Sequence, residues 1–503
     1  LPIKICPKKE DLLLLLQKLN PDYICLAGWK QIILDEVIDA FPNRILNLHP
    51  GLIPDNHNPD GTLGLWNRGQ LTDKAIKNFI DSKATNAGSS IHFLTKEFDF
   101  GPVLGRCFEK IQPGDTVDSL YTRLKVKENQ LYVHVLARLC KNLTTVLITD
   151  GGGRGAALVD KYGQSEQVEK ILAVPGNDLM QINTKKKVVT FPHLKTTSIK
   201  EILEICKKEK VDLVDVAQDN AVAVGLTDEL MKNGIKVFGP TKEAGQIEWD
   251  KAWAREFMKK YQLPSPEYHV FHSEKDGINF VKKYSKAWFV KAAGLAEGKG
   301  VIPAENTQEA ISAIGQMQKF GSSGKTYLLE EWLVGEEFSA FVLCDGNDFK
   351  IVGYAQDHKR VFDGDKGPNT GGMGCVSNPL IVNTSIKYQV SSIMEKAIRG
   401  LRKEGRVYRG VLYLGGMVVN NKVYVIEFNA RWGDPEAQVI IPAIKNDFLE
   451  ISDAVNFGKL KSLKIDVDKK VRVVVAATSK GYPVDYSAAK DKKVFGVEKA
   501  IKK

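Results

Sequence analysis

Long apolar runs are missing from this sequence. Its longest purely aliphatic stretch is Leu12 to Leu16, closed at once by Gln17 and Lys18, far short of the roughly 20 apolar residues that carry a helix across a bilayer. No membrane-spanning helix is expected. CxxC pairs are missing as well: Cys6, Cys25, Cys107, Cys140, Cys206, Cys344 and Cys375 stand apart, and an odd, scattered set is a poor disulfide framework and points to a reducing, cytoplasmic setting. There is no helix-turn-helix, zinc-finger or aromatic RNA-binding pattern. The formal charge of +10, from 71 Lys and Arg against 61 Asp and Glu, is therefore read as solvated Lys-rich helices or as an attraction for small anionic substrates, not as a nucleic-acid surface. A fixed-period repeat, a signal-peptide core and a starting Met are also absent, so the chain is expected to be a fragment or a processed product.

What is present is the composition of a soluble globular protein: 503 residues, 43% hydrophobic, 26% charged and 9% aromatic, enough for three or four domains. Residues 22–28 and 44–49 read as short buried strands around a helix at 32–41, and a second helix is expected over 119–139. A new strand at 146–149 runs into Gly151, Gly152 and Gly153, placing a boundary near residue 143. Strands at 211–216 and 236–238 flank a Lys-rich helix at 199–210, the alternation of a parallel sheet. From about 246 the pattern turns to strands (287–291, 327–330, 424–428) joined by Gly-rich loops with fewer helices, an α+β pattern.

Two clusters carry chemistry. Asn47 and His49 project from one face of a strand because alternate residues do, and Asp99 follows downstream. These three are either satisfied structural polars or an acid/base cluster in which Asn donates to an oxyanion and Asp holds the imidazole. The motif NLHPGLIP (47–54) with HFLTKEFDFGPV (92–103) resembles the glycinamide ribonucleotide formyltransferase family over roughly residues 1–140. The resemblance implies Asn47, His49 and Asp99 as catalytic residues that pass a formyl group from 10-formyltetrahydrofolate to an amine. It also implies an upstream first strand and phosphate-binding glycine loop not found here, so ligation is expected to outpace formylation. Residues 55–72 are longer than the family's loop, and His57 within them is expected to be an exposed loop residue.

The second cluster lies beyond the boundary. GGGRGAA (151–157) follows a strand and can open a helix, a geometry suited to phosphate. A second glycine loop, 291–300, carries Lys291 and Lys299. In VIEFN (425–429), Glu427 and Asn429 share one strand face, and oxygen ligands at i and i+2 suit Mg²⁺, although an ordinary amphipathic strand has the same pattern. Together with QDHKRV (356–361), GPNTGGMG (367–374) and IEFNARWGDPE (426–436), these runs closely resemble the phosphoribosylamine–glycine ligases, ATP-grasp enzymes, over about residues 145–503. The resemblance implies Lys251 and Lys291 on ATP phosphates, Glu330 and Leu333 at the adenine edge, Glu337 at the ribose, Glu427 and Asn429 on Mg²⁺ (or Mn²⁺), and Arg431 as a catalytic holder of the glycine carboxylate or acyl phosphate. Residues 152–157 and 217–222 depart from the family's GGREHA and GPExPL, and Ala293 replaces its usual Asp.

The expected fold class is α/β: an incomplete formyltransferase Rossmann-like domain (1–142), a pre-ATP-grasp α/β domain (143–245), an α+β ATP-grasp domain (246–463) and the start of a C-terminal domain (464–503). The expected function is bifunctional purine biosynthesis acting on glycine, phosphoribosylamine, glycinamide ribonucleotide and folate, with no nucleic-acid or membrane partner. The rival readings are an ATP-grasp ligase for a different amine and a catalytically silent partner-binding subunit.

Overall fold

The computed structural model describes residues 11–26, 31–54, 64–141, 143–182, 184–296, 299–489, 492–497 and 499. His57 with the first half of the 55–72 loop, Gly28 and Gly298 lie outside these. The chain forms two compact units, Leu1–Leu143 and Thr144–Lys503.

The first unit is built on a four-stranded sheet in the order Ile24–Leu26, Ile45–His49, Asn86–Phe93, Val103–Lys110. The first pair is parallel and the rest antiparallel. The helix expected over 32–41 is shorter, Asp35–Ala40, and that over 119–139 is longer, Val117–Lys141. On this long helix Leu120 and Leu124 are fully buried with Phe79 and Ile76 of helix Thr72–Asp81, so its i, i+4 apolar face covers the sheet.

The second unit opens with a five-stranded, all-parallel sheet in the order Lys187–Thr190, Val168–Ala173, Thr144–Ile148, Leu213–Asp215, Lys236–Phe238. Both faces are covered, which is why these strands read as unbroken apolar runs. Two antiparallel sheets follow. Four strands, Tyr268–Phe271, Tyr327–Glu331, Trp288–Ala292 and Val301–Ala304, form one; six, Lys422–Asn429, Arg409–Val419, Glu336–Asp345, Phe349–Phe362, Lys366–Ser377 and Val473–Val475, form the other.

The reading of few helices beyond 246 needs correction. Helices Lys251–Lys260, Glu274–Lys283, Thr307–Gln316, Thr384–Lys403 and Phe448–Asn456 all lie there. Three of them (251–260, 274–283 and 384–403) are lysine-rich and bury a stripe on one face only, so their apolar residues are diluted in sequence. The GPNTGGMG run is a strand, part of the long hairpin with QDHKRV. One core joins the parallel sheet to the six-stranded sheet: Tyr162 packs edge-on to Phe448, and Trp432 stacks on Phe341. That shared core fixes the two parts against each other around the cavity described next.

Candidate active sites

In the first unit, strand Ile45–His49 stops at Pro50, which cannot donate to the ladder. Antiparallel register sets Asn47 directly opposite His92. The Asn47 amide Nδ2 lies 3.3 Å from His92 Nε2, and His92 Nδ1 lies 3.0 Å from the Phe93 carbonyl. A carbonyl only accepts, so His92 carries its proton on Nδ1 and accepts on Nε2. Burial and neighbouring His49 push its pKa down to about 4, consistent with that neutral form.

Asp99 sits in a turn at φ +50°, a left-handed conformation that Asp tolerates. The turn delivers its carboxylate to His49: Nδ1 to Oδ1 is 3.4 Å. His49 Nε2 lies 2.7 Å from the Trp66 carbonyl. Both ring nitrogens thus face oxygen atoms of the protein, which fixes the plane and tilt of the ring. The Gly69 N–H donates to Asp99 Oδ2 at 2.8 Å. Burial raises the Asp99 pKa, but the His49 hydrogen bond and the Gly69 N–H outweigh it and hold the carboxyl below its usual range. Asn47, His49 and Asp99 therefore converge. His92 was missed as a site residue; its place in the quoted HF segment was the available signal, since the register that sets it opposite Asn47 is a property of the fold.

In the second unit a cavity of about 780 Å³, counted to its open mouth, is lined by Lys251, Lys291, Glu330, Glu427, Asn429 and Arg431. Leu333 and Glu337 are not among its lining residues; Leu333 lies between strands Tyr327–Glu331 and Glu336–Asp345, and Glu337 lies in the second of these, where it reaches Lys359 at 3.8 Å. Three charged lining residues escaped the sequence reading: Asp219, Glu248 and Arg255. Arg255 stands one helical turn after Lys251, so its face was already implied.

Glu330 is buried, and its carboxylate is spent. Arg255 donates to it from Nε and Nη2 at 2.7 and 2.8 Å, and Lys291 Nζ lies at 2.5 Å. Burial opposes ionisation there, yet the two cations hold its pKa down to about 2. Arg255 also donates to the carbonyls of Val425 and Ile426, tying the metal-candidate strand to the same ion group. Glu248 receives Arg431 Nη2 at 2.9 Å on one oxygen and the Ala430 N–H at 2.7 Å on the other; burial pushes its pKa up to about 7.

Lys251 has no carboxylate in ion-pair range among the described residues; its ammonium meets only the Gly294 carbonyl at 3.4 Å. Burial lowers its pKa, with Glu427 acting the other way. An ammonium so placed lacks an anion, which a polyphosphate supplies. Glu427 keeps its charge because Lys359, Lys251 and Lys291 outweigh its burial. Among the described residues no three His, Cys, Asp or Glu side chains gather to make a metal cage. One ionised carboxylate beside the Asn429 amide, 3.3 Å away, suits Mg²⁺, which takes few protein ligands and completes its shell with phosphates and water.

The glycine turn at 151–153 differs from the phosphate cradle expected of it. Asp150 Oδ1 accepts from the N–H groups of Gly152, at 2.5 Å, and Gly155, at 3.2 Å, while Oδ2 pairs with buried Arg154 at 2.7 Å. The chain's own carboxylate occupies donors that an anion would use.

Residues 7–136 match the formyl transferase family model. Residues 144–248 match the phosphoribosylglycinamide synthetase N domain and 249–437 its ATP-grasp (A) domain. The phosphoribosylamine–glycine ligase of Caldanaerobacter subterraneus subsp. tengcongensis is 40% identical over 345 residues, 68% of this chain and 82% of the relative. That of Streptococcus pneumoniae is 39% identical over 346 residues, 68% and 81% of the two chains. The crystal structure of the Thermotoga maritima phosphoribosylamine–glycine ligase superposes with a TM-score of 0.58 at 29% identity, covering 68% of this chain and 82% of that one. The biotin carboxylase domain of Hydrogenobacter thermophilus 2-oxoglutarate carboxylase, solved with MgADP, shares the fold at a TM-score of 0.52 and 14% identity over 66% of this chain and 73% of that one. With a cation-lined cavity, a buried carboxylate strand and relatives of this identity and coverage, the chain belongs to the phosphoribosylamine–glycine ligase family and carries a formyl transferase domain ahead of the ligase.

Proposed function

We propose that the chain catalyses two consecutive steps of purine biosynthesis: ATP-dependent joining of glycine to phosphoribosylamine, and formylation of the resulting glycinamide ribonucleotide from 10-formyltetrahydrofolate. The convergence of Lys251, Lys291, Glu427, Asn429 and Arg431 on one cavity supports the first step most strongly. Lys251 and Lys291 take the polyphosphate charge. Glu427 with Asn429 holds Mg²⁺, which when bound neutralises charge developing on the transferred phosphoryl group. Arg431, fixed by Glu248, presents a guanidinium to the glycine carboxylate. Phosphorylation activates that carboxylate, and the sugar amine then attacks the acyl carbon and displaces phosphate. Leu333 and Glu337 are assigned to the adenine and ribose side of the same site.

In the first unit Asn47, oriented by His92, offers its second amide hydrogen to the oxyanion as the glycyl amine attacks, and His49, held on Nδ1 by Asp99, would join it once Nε2 leaves the Trp66 carbonyl for the substrate. The finer division into 143–245, 246–463 and 464–503 belongs to this proposal and is supported by the family matches at 144–248 and 249–437. So does a cytoplasmic setting with small-molecule partners, which the six free cysteines among the described residues favour. No described helix is long and apolar enough to cross a membrane.

The test measures ADP release with glycine and phosphoribosylamine, each omitted in turn, and formyl transfer to glycinamide ribonucleotide in a separate assay. ADP release that needs both substrates is the expected result. Release with another amine only would replace this reading with a ligase of different acceptor, and no release with any would leave a silent subunit.

A further inference from the structure

Four carboxylates line the ligase cavity, and three are already committed. Glu330 is shared between Arg255 and Lys291, Glu248 between Arg431 and the Ala430 N–H, and Glu427 faces three lysines and the proposed metal. Asp219 differs. Its Oδ1 accepts from the N–H of Asn220 at 2.7 Å, and its Oδ2 accepts from no described residue. Although it stands near enough to Arg431 and Glu248 to act on both electrostatically, it makes no ion pair within 4 Å among the described residues. It is half-buried, at the start of helix Asp219–Val224, and reaches the cavity from the parallel-sheet part of the unit, which supplies none of the proposed ATP contacts.

The substrates supply the complement. Polyphosphate is matched by Lys251 and Lys291, and the glycine carboxylate by Arg431. Of the reactants' remaining hydrogen-bond donors, the sugar's hydroxyls are neutral, and those that bring positive charge to a carboxylate are amino nitrogens: the ammonium of glycine and the amine of the sugar. Both donate hydrogen bonds and both carry positive charge, one in the bound state and the other as it attacks. A carboxylate oxygen with no protein partner, beside the guanidinium that takes the substrate carboxylate, is the acceptor such a group requires.

We infer that Asp219 binds a substrate amino group in the ligase cavity. The inference rests on the proposed ligase reading. It also makes residues 217–222, where the chain departs from its family's pattern, a working part of the pocket wall.

The experiment uses the full chain and three variants, Asp219→Asn, Asp219→Glu and Asp219→Ala, with the Michaelis constants for ATP, glycine and phosphoribosylamine measured separately. In Asp219→Asn, the constant for glycine or for phosphoribosylamine should rise about tenfold or more, with that for ATP within about twofold. The substrate whose constant moves identifies which amino group is held. Asp219→Glu, which keeps the charge, should recover part of the loss. Unchanged constants for both amino substrates in Asp219→Asn and Asp219→Ala, or an equal rise in all three constants, overturn the inference. Absence of glycine- and phosphoribosylamine-dependent ADP release in the unaltered chain would instead overturn the ligase reading itself.

Discussion

Asp99 and Glu427 are both carboxylates kept ionised against the cost of burial, one by His49 and the Gly69 N–H, the other by three lysines. Each supports a separate test. Asp99→Asn preserves shape but removes the carboxylate that holds His49 Nδ1, so formyl transfer should fall by about a hundredfold or more while ADP release by the ligase is unchanged; parallel loss of both activities would show that the first unit serves the second structurally. Glu427→Ala removes the metal-candidate carboxylate from among Lys251, Lys291 and Lys359. ATP consumption should drop by roughly two orders of magnitude, with a higher Mg²⁺ concentration needed for half-activation. An unaltered Mg²⁺ titration would end the metal assignment.

Among secondary elements, the helix Gly153–Gly163 depends on one side chain outside it. Asp150 caps its first turn and neutralises Arg154, whose guanidinium also donates to the Trp432 carbonyl at 2.8 Å, so a single carboxylate links the parallel sheet to the loop beyond the metal-candidate strand. Asp150→Ala leaves a buried cation without its partner. The second unit should lose about 3 kcal/mol or more of stability, read as a lower urea midpoint. If the midpoint holds, Arg154 has found another acceptor and the link is weaker than its geometry indicates. The same geometry explains why the glycine run misleads: glycines make the tight turn possible, but Asp150 decides what the exposed N–H groups bind.

For the whole molecule, the two units should respond to acid in opposite directions. His92 is fully buried and its pKa falls to about 4. Unfolding lets it take up a proton, so the first unit has this contribution in full above pH 6.5 and loses it as pH falls toward 4, at most about 3 kcal/mol. In the second unit, burial raises Asp215, Glu248 and Asp357 to about 7. Raised carboxylates favour the folded state when protonated, so their contribution grows as pH falls from 7 toward the ordinary carboxylate range. Amide exchange on the intact chain, taken from pH 7 to 5, should show protection weakening in strand Asn86–Phe93 and holding or rising in Leu213–Asp215. A His92→Gln variant should flatten the response of the first unit alone. A common fall in both units would contradict the assignment of these buried groups.

The alternation that places Asn47 with His49, and Glu427 with Asn429, on single strand faces was legible in the sequence, because side-chain period follows from backbone geometry and needs no neighbours. The parallel sheet was legible for a related reason: strands covered on both faces write themselves as apolar runs, as Val146, Leu147 and Ile148 do. Motif order carried the two-part organisation as well. Partnership between distant residues was not legible. That His92 lies opposite Asn47 depends on strand register; that Glu330 is spent on Arg255 and Lys291, Asp150 on the glycine turn and Glu248 on Arg431 depends on which charges the packed core brings within hydrogen-bond reach. A sequence lists the donors and acceptors, but only the fold assigns them to one another, and the oxygen it leaves over on Asp219 became visible once the others were assigned.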